Sequence, residues 1–231
     1  MKAVVLLSGG LDSCVTATIA KKEYNATLYT LTIQYGQSHR RELESAKNIA
    51  EHLEAVEHKV ISIDTSLFTK SSLVGKPDEI PERKLEEIEK GIPSTYVPAR
   101  NTIFLSYALA YAENNDIDAI FMGANAIDYS GYPDCRPEYI EAFQRVADLG
   151  TKRGVEGRSI RIVTPLIELS KAEIIKKGLK LNAPLHLTWS CYRGGEKACG
   201  RCDSCLLRLK GFKEAGVKDP IPYESYPPWY P

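Results

Sequence analysis

The chain has 231 residues, with 30 Lys and Arg against 30 Asp and Glu, so its formal net charge is zero. A composition of 43% hydrophobic and 26% charged residues excludes disorder as the main state, and the charge balance excludes a globally basic nucleic-acid coat. The length suits one domain with a small appendage, and no apolar run approaches the ~20 residues that span a bilayer.

Ala3 to Leu7 is a short continuous apolar run ending in Ser8-Gly9-Gly10, which reads as a buried parallel strand and a tight turn. That turn also makes the N-terminal stretch too short for a signal peptide, so a cytoplasmic protein is expected. Asp12 to Lys22 has helical spacing, and Thr27 to Gln34 is a second strand rich in β-branched residues. His39 to Leu53 is helical, with Ala46, Ile49, Ala50 and Leu53 as its apolar stripe. Lys59 to Ile63, Ile117 to Met122 and Ile160 to Val163 read as three further strands. Asn101 to Asn114, Pro137 to Thr151 and Lys171 to Leu181 read as helices between and after them. This alternation predicts an α/β fold with a doubly wound, parallel, five-stranded sheet of Rossmann-like type. The expected division is 1–185 for that domain and 186–231 for a small four-cysteine subdomain and tail. Ser66 to Pro98 breaks the pattern with many Gly and Pro and reads as an inserted lid or flexible loop, with one exposed helix at Glu82 to Lys90. Pro220 to Pro231 reads as an extended tail on a surface.

Ligands of such sheets bind beyond the carboxyl ends of the strands. There stands Ser8-Gly9-Gly10-Leu11-Asp12-Ser13, a turn whose backbone N–H groups, backed by a helix dipole, form an anion site. Ser8 and Ser13 can add hydroxyl donors. Asp12 beside a phosphate calls for Mg2+, held directly or through water. The alternative is an ordinary strand-to-helix turn in which Asp12 or Ser13 caps the helix. Neither a Walker A loop nor a dinucleotide fingerprint is present. The hexapeptide resembles the pyrophosphate loop of the N-type ATP pyrophosphatases. That resemblance implies ATP cleaved between the α and β phosphates, with an oxygen activated as its adenylate.

Cys191, Cys199, Cys202 and Cys205 have C-x7-C-x2-C-x2-C spacing, suited to a closed, structural Zn2+ site. An iron–sulfur cluster and a redox disulfide remain as alternatives.

Three more stretches narrow the substrate. In Tyr96-Val97-Pro98-Ala99-Arg100-Asn101, Asn101 can cap the next helix and Arg100 is placed to meet a phosphate or carboxylate. The polar segment Gly123 to Arg136 follows the fourth strand. In it Asp128 and Asp134 can accept N–H bonds from a guanine-like edge and Tyr132 can stack on it; the alternative is a solvated loop. In Leu169-Ser170-Lys171-Ala172-Glu173-Ile174, Ser170 and Glu173 form a capping box while Lys171 can reach a phosphate.

Together the loop, the Gly-Ala-Asn…Asp-Tyr-Ser-Gly-Tyr-Pro-Asp-Cys-Arg segment, the Ser-Lys-Ala-Glu helix and the cysteine spacing closely resemble the 7-cyano-7-deazaguanine synthase (QueC) family. The resemblance runs from Val5 to about Leu209. It implies an ATP-dependent C–N ligase that converts 7-carboxy-7-deazaguanine and ammonia to the nitrile for queuosine or archaeosine. It further implies ATP and Mg2+ at Ser8, Gly9, Gly10, Leu11, Asp12 and Ser13, and charge stabilisation by Arg100 and Lys171. Base contacts would come from Asp128, Tyr132, Asp134 and Arg136. The implied partners are the small deazapurine, ammonia and a second copy in a homodimer, with no membrane and no stable nucleic-acid complex. A tRNA-thiolating adenylyltransferase of the same superfamily and a zinc-ribbon nucleic-acid module are the competing readings.

Overall fold

Every residue from Ala3 to Leu7 is buried, because helices cover both faces of the first strand. Our computed structural model of the protein describes residues 1–36, 41–64, 66, 85–88, 96–125 and 132–231. Strands β1 (Lys2–Leu6), β2 (Thr27–Gln34), β3 (Glu57–Ser62), β4 (Ala119–Phe121) and β5 (Arg161–Val163) form one sheet in the order β3-β2-β1-β4-β5. All four pairings are parallel, with Val4 opposite Tyr29 on one side and Ile120 on the other. β3 begins two residues before the expected Lys59. It is an edge strand with exposed positions, so its start carries no apolar signal.

The strand period of two divides β1 between two cores. Val4 and Leu6 face Leu105, Ala108 and Phe143 on α4 (Arg100–Asn114) and α5 (Pro137–Gly150). Ala3, Val5 and Leu7 face Ala17, Ala46 and Ile49 on α1 (Leu11–Lys22) and α2 (Arg41–His52). Residues 39 and 40 of the expected second helix lie outside the described residues. α5 stops one residue short of its expected end, because Thr151 turns to cap the four-residue α6 (Lys152–Val155), accepting from the Gly154 N–H at 2.9 Å.

A third core joins Leu11, Val15 and Ile19 of α1 to α7 (Lys171–Lys180) and to the cysteine segment. Helix α8 (Asp203–Ala215) completes it with Leu209 and Phe212; the strand-and-helix pattern above did not foresee this helix. The tail crosses the cysteine segment in extended form: Ala198 N donates to Pro222 O, and Glu224 N to Ala198 O. Of the expected insertion, only Ser66, α3 (Leu85–Ile88) and Tyr96 to Pro98 are described, so the lid expectation falls mostly outside the described residues.

Candidate active site and metal centre

The sheet order reverses between β1 and β4, and the turn after β1 stands at that switch point. Gly9 has φ +86, and a Cβ there would collide with the Glu42 carbonyl oxygen at the start of α2. Gly10 is the N-cap of α1 with no side-chain hydrogen bond, so neither Asp12 nor Ser13 caps the helix. Ser13 Oγ accepts from Ser8 N at 3.2 Å and donates to Gly10 O at 3.0 Å; Gly10 N donates to Ser8 Oγ at 3.2 Å. Both hydroxyls thus brace the loop from within. Leu11 turns its side chain into the core.

Asp12 points the other way, to Lys171. The ammonium donates to both carboxylate oxygens at 2.7 Å. Lys171 starts α7, whose capping box is the expected one: Ser170 N donates to Glu173 Oε2 at 2.8 Å and Glu173 N to Ser170 Oγ at 3.3 Å. The lysine stem lies across Gly211 of α8, where any Cβ would collide with Lys171 Cγ.

Between the loop and the start of α4 lies a cavity of about 280 Å3, floored by apolar side chains of β1 and β2. Arg100 and Tyr132 line it from the far side. The Arg100 guanidinium lies over Tyr35 and Phe104 at 5.5 and 5.8 Å, and its Nη1 donates to Tyr35 Oη at 3.3 Å. Burial works against its charge, but facing Tyr35, Tyr132 and Cys135 outweigh that and raise its pKa above the ordinary guanidinium value. Its Nε–H is buried with no partner among the described residues. Ala99 before it is left-handed, at φ 53.

Other expected base contacts are placed differently. Asp134 is buried beside α4, where its Oδ2 accepts from Asn101 N at 3.0 Å. It therefore satisfies the helix terminus that Asn101 was expected to cap; Asn101 lies inside the helix and donates to Asp134 O and Cys135 Sγ. Asp134 Oδ1 has no partner among the described residues. Arg136 is exposed, does not line the cavity and folds its Nε back onto Pro133 O at 3.2 Å. Asp128 lies outside the described residues.

The four clustered cysteines converge. Their sulfurs all lie within 4.8 Å of one another, and all four residues are buried. Cys199 and Cys205 Sγ are 3.9 Å apart. A tetrahedral zinc with bonds of about 2.3 Å needs sulfurs about 3.8 Å apart, so the set fits such an ion. Backbone N–H groups of Cys199, Arg201 and Cys202 donate to cluster sulfurs, as suits thiolates. The neighbouring thiols lower the Cys199 pKa through hydrogen bonds. All six cysteines lack disulfides.

The family model described as queuosine biosynthesis protein QueC matches residues 2–216. The chain belongs to the QueC family. Among curated relatives of the family, a 7-cyano-7-deazaguanine synthase of Acetivibrio thermocellus is 58% identical, over 96% of this chain and 97% of the relative. One from Thermoplasma acidophilum is 53% identical, over 99% of this chain and 94% of the relative. A solved NMN synthetase of Francisella tularensis has a TM-score of 0.49 at 17% identity, covering 94% of this chain and 78% of that one.

Several residues at the QueC-family site escaped sequence reasoning. Tyr35 and Phe104 hold Arg100, but each reads locally as an ordinary core aromatic. Trp189 and Arg208 line the cavity from the cysteine side. Arg208 gives Nε to Asp219 Oδ2 at 2.6 Å and Nη2 to Asp219 Oδ1 at 2.9 Å, a bidentate pair almost wholly buried. Its Nη1 donates to Thr188 Oγ1 at 2.7 Å and Ser190 Oγ at 3.3 Å. One charged residue per turn among basic neighbours gives no sign of such a partner.

Proposed function

We propose that the chain converts 7-carboxy-7-deazaguanine, ammonia and two ATP to 7-cyano-7-deazaguanine, two AMP and two pyrophosphate. The observation that carries this is near-full-length membership of the QueC family, with relatives of that activity's name at 58% identity. A carboxylate resists ammonia because oxide is a poor leaving group. Attack of a carboxylate oxygen on the α phosphorus expels pyrophosphate, and ammonia then displaces AMP to give the amide. The amide oxygen attacks a second α phosphorus, and loss of AMP and protons leaves the nitrile. Each carboxylate oxygen departs on an AMP, so no water is released.

In this reading the loop from Ser8 to Ser13 binds phosphates through the N–H groups not engaged within it, and Asp12 holds Mg2+. Lys171 and Arg100 stabilise charge as pyrophosphate leaves. The unpartnered Arg100 Nε–H is a donor suited to an anion. Tyr132 supports the base, with Asp128 and, through its Oδ1, Asp134 as further contacts; Arg136 would join them on releasing Pro133 O. No covalent nucleophile is needed, because positioning and electrostatics suffice. Zn2+ on Cys191, Cys199, Cys202 and Cys205 is structural, since four protein ligands leave no open position. The enzyme acts in the cytoplasm as a homodimer and feeds deazaguanine modification of tRNA. Free cysteines throughout, and no helix among the described residues long and apolar enough to cross a membrane, support that compartment.

A thiolating activity that leaves the four-cysteine cluster structural would need a reactive cysteine outside it. Burial pushes the Cys14 thiol up to about 12 and the Cys135 thiol up to about 11, which disfavours the thiolate in both. The test is one incubation with ATP, Mg2+, ammonium and 7-carboxy-7-deazaguanine. Nitrile, AMP and pyrophosphate are expected; an unchanged base with thiolated tRNA in a parallel reaction would overturn the reading.

A further inference from the structure

Trp189 touches both the cysteine centre and the phosphate loop. Trp189 is 2% exposed and stands between them. Its backbone N–H donates to Gly9 O at 2.9 Å. Its indole Nε1–H donates to Cys191 O at 3.0 Å, and Cys191 is the first of the four clustered cysteines. Arg41, at the start of α2, lies over the indole ring at 4.7 Å. The residues on either side, Thr188 and Ser190, are both pinned by Arg208.

We infer that Trp189 is a positioning residue that makes the shape of the phosphate loop depend on the occupied cysteine centre. The inference rests on the reading of Ser8 to Ser13 as the nucleotide site. Gly9 at φ +86 is packed against α2 on its Cα side, so its peptide orientation is fixed by what its carbonyl meets. That partner is the Trp189 N–H. The Trp189 backbone is held by Arg208 through its two neighbours and by the indole bond to Cys191 O, whose position is fixed while the Cys191 sulfur is bound. When the metal leaves, the four sulfurs separate and the Cys191 carbonyl moves. The indole then loses its acceptor, the Gly9 carbonyl loses its donor, and the loop N–H groups no longer converge. Losing one such hydrogen bond costs about a 3- to 10-fold change in equilibrium.

Trp189→Phe isolates the link. It keeps an aromatic ring against Arg41 and the backbone donor to Gly9, removes the indole N–H, and leaves a small gap where the larger ring stood. Calorimetry with ATP and Mg2+, without the base, reads the affinity; metal analysis and melting temperature read integrity. In the unaltered protein, stripping the metal with a chelator should weaken ATP binding about 3- to 10-fold. Trp189→Phe should retain its metal and its circular-dichroism spectrum with a modestly lower melting temperature, show a similar weakening, and lose under about 2-fold more on stripping. A metal-replete Trp189→Phe that binds ATP normally overturns the inference, as does an equal loss on stripping in both proteins. If the metal-free chain unfolds by circular dichroism, the metal-replete variant alone decides.

The sequence has two tryptophans, so Trp229→Phe leaves Trp189 as the only indole emitter. Stripping the metal should shift its emission to the red; unchanged emission overturns the inference. This readout needs no nucleotide. Absence of ATP binding in the unaltered protein would sink the nucleotide reading, and the emission would still judge the link.

Discussion

Lys171 Nζ lies 2.7 Å from both carboxylate oxygens of Asp12, two residues 159 positions apart. The pair sets the aspartate before any cation arrives and holds an ammonium where a leaving phosphate would gather charge. Asp12→Asn should lower kcat by about 100-fold or more while leaving the fold intact, read by steady-state kinetics and circular dichroism. Near-normal turnover would remove Asp12 from the mechanism.

Gly211 makes room for the Lys171 stem. Gly211→Val should push the lysine away from Asp12 and lower kcat more than it changes KM for ATP. An unchanged kcat with normal melting temperature would show that the stem has another route.

Gly9 permits neither a left-handed side chain nor the space for one. Gly9→Ala should weaken binding of ATP and of pyrophosphate alike, because both need the same loop N–H groups. Calorimetry with each ligand checks this.

Asp219 neutralises a guanidinium buried in the third core. Asp219→Asn leaves that charge without its carboxylate and should cost about 3–5 kcal/mol of stability in urea unfolding.

Asp118 accepts from Lys2 N at 2.9 Å and pairs with Arg153 at 3.2 Å, contacts that hold its carboxyl below the usual value. A lowered folded pKa stabilises above the ordinary carboxylate value of about 4 and loses that stabilisation as pH falls through the lowered value. Asp118→Asn should therefore be less stable than the unaltered protein at pH ~7, with the gap closing towards pH ~2.

The alternation of apolar runs and helical stripes is enough to read the sheet, since β1 from Ala3 onward and all of β4 are buried on both faces. The strand-to-helix turn at Gly9-Gly10 and the convergence of four cysteines are legible because the glycines follow a buried apolar run and the sulfurs repeat at short spacing. What stayed hidden depends on pairs distant in the chain. Nothing local to Asp134 reveals that its Oδ2 accepts the Asn101 N–H, across 33 positions. Helix α8 was masked by the cysteine pattern that opens it, although Leu206, Leu209 and Phe212 repeat at helical spacing. Nothing local to Trp189 reveals its contact with Gly9.

At Gly200, φ is +73 and the Ser225 carbonyl occupies the space a side chain would need, while Ser225 Oγ donates to Cys199 O at 2.9 Å. Ser225 therefore roofs the turn between Cys199 and Cys202. An ion held by the four sulfurs would exchange only when that strand lifts, so its retention would be set by a rate rather than by affinity alone.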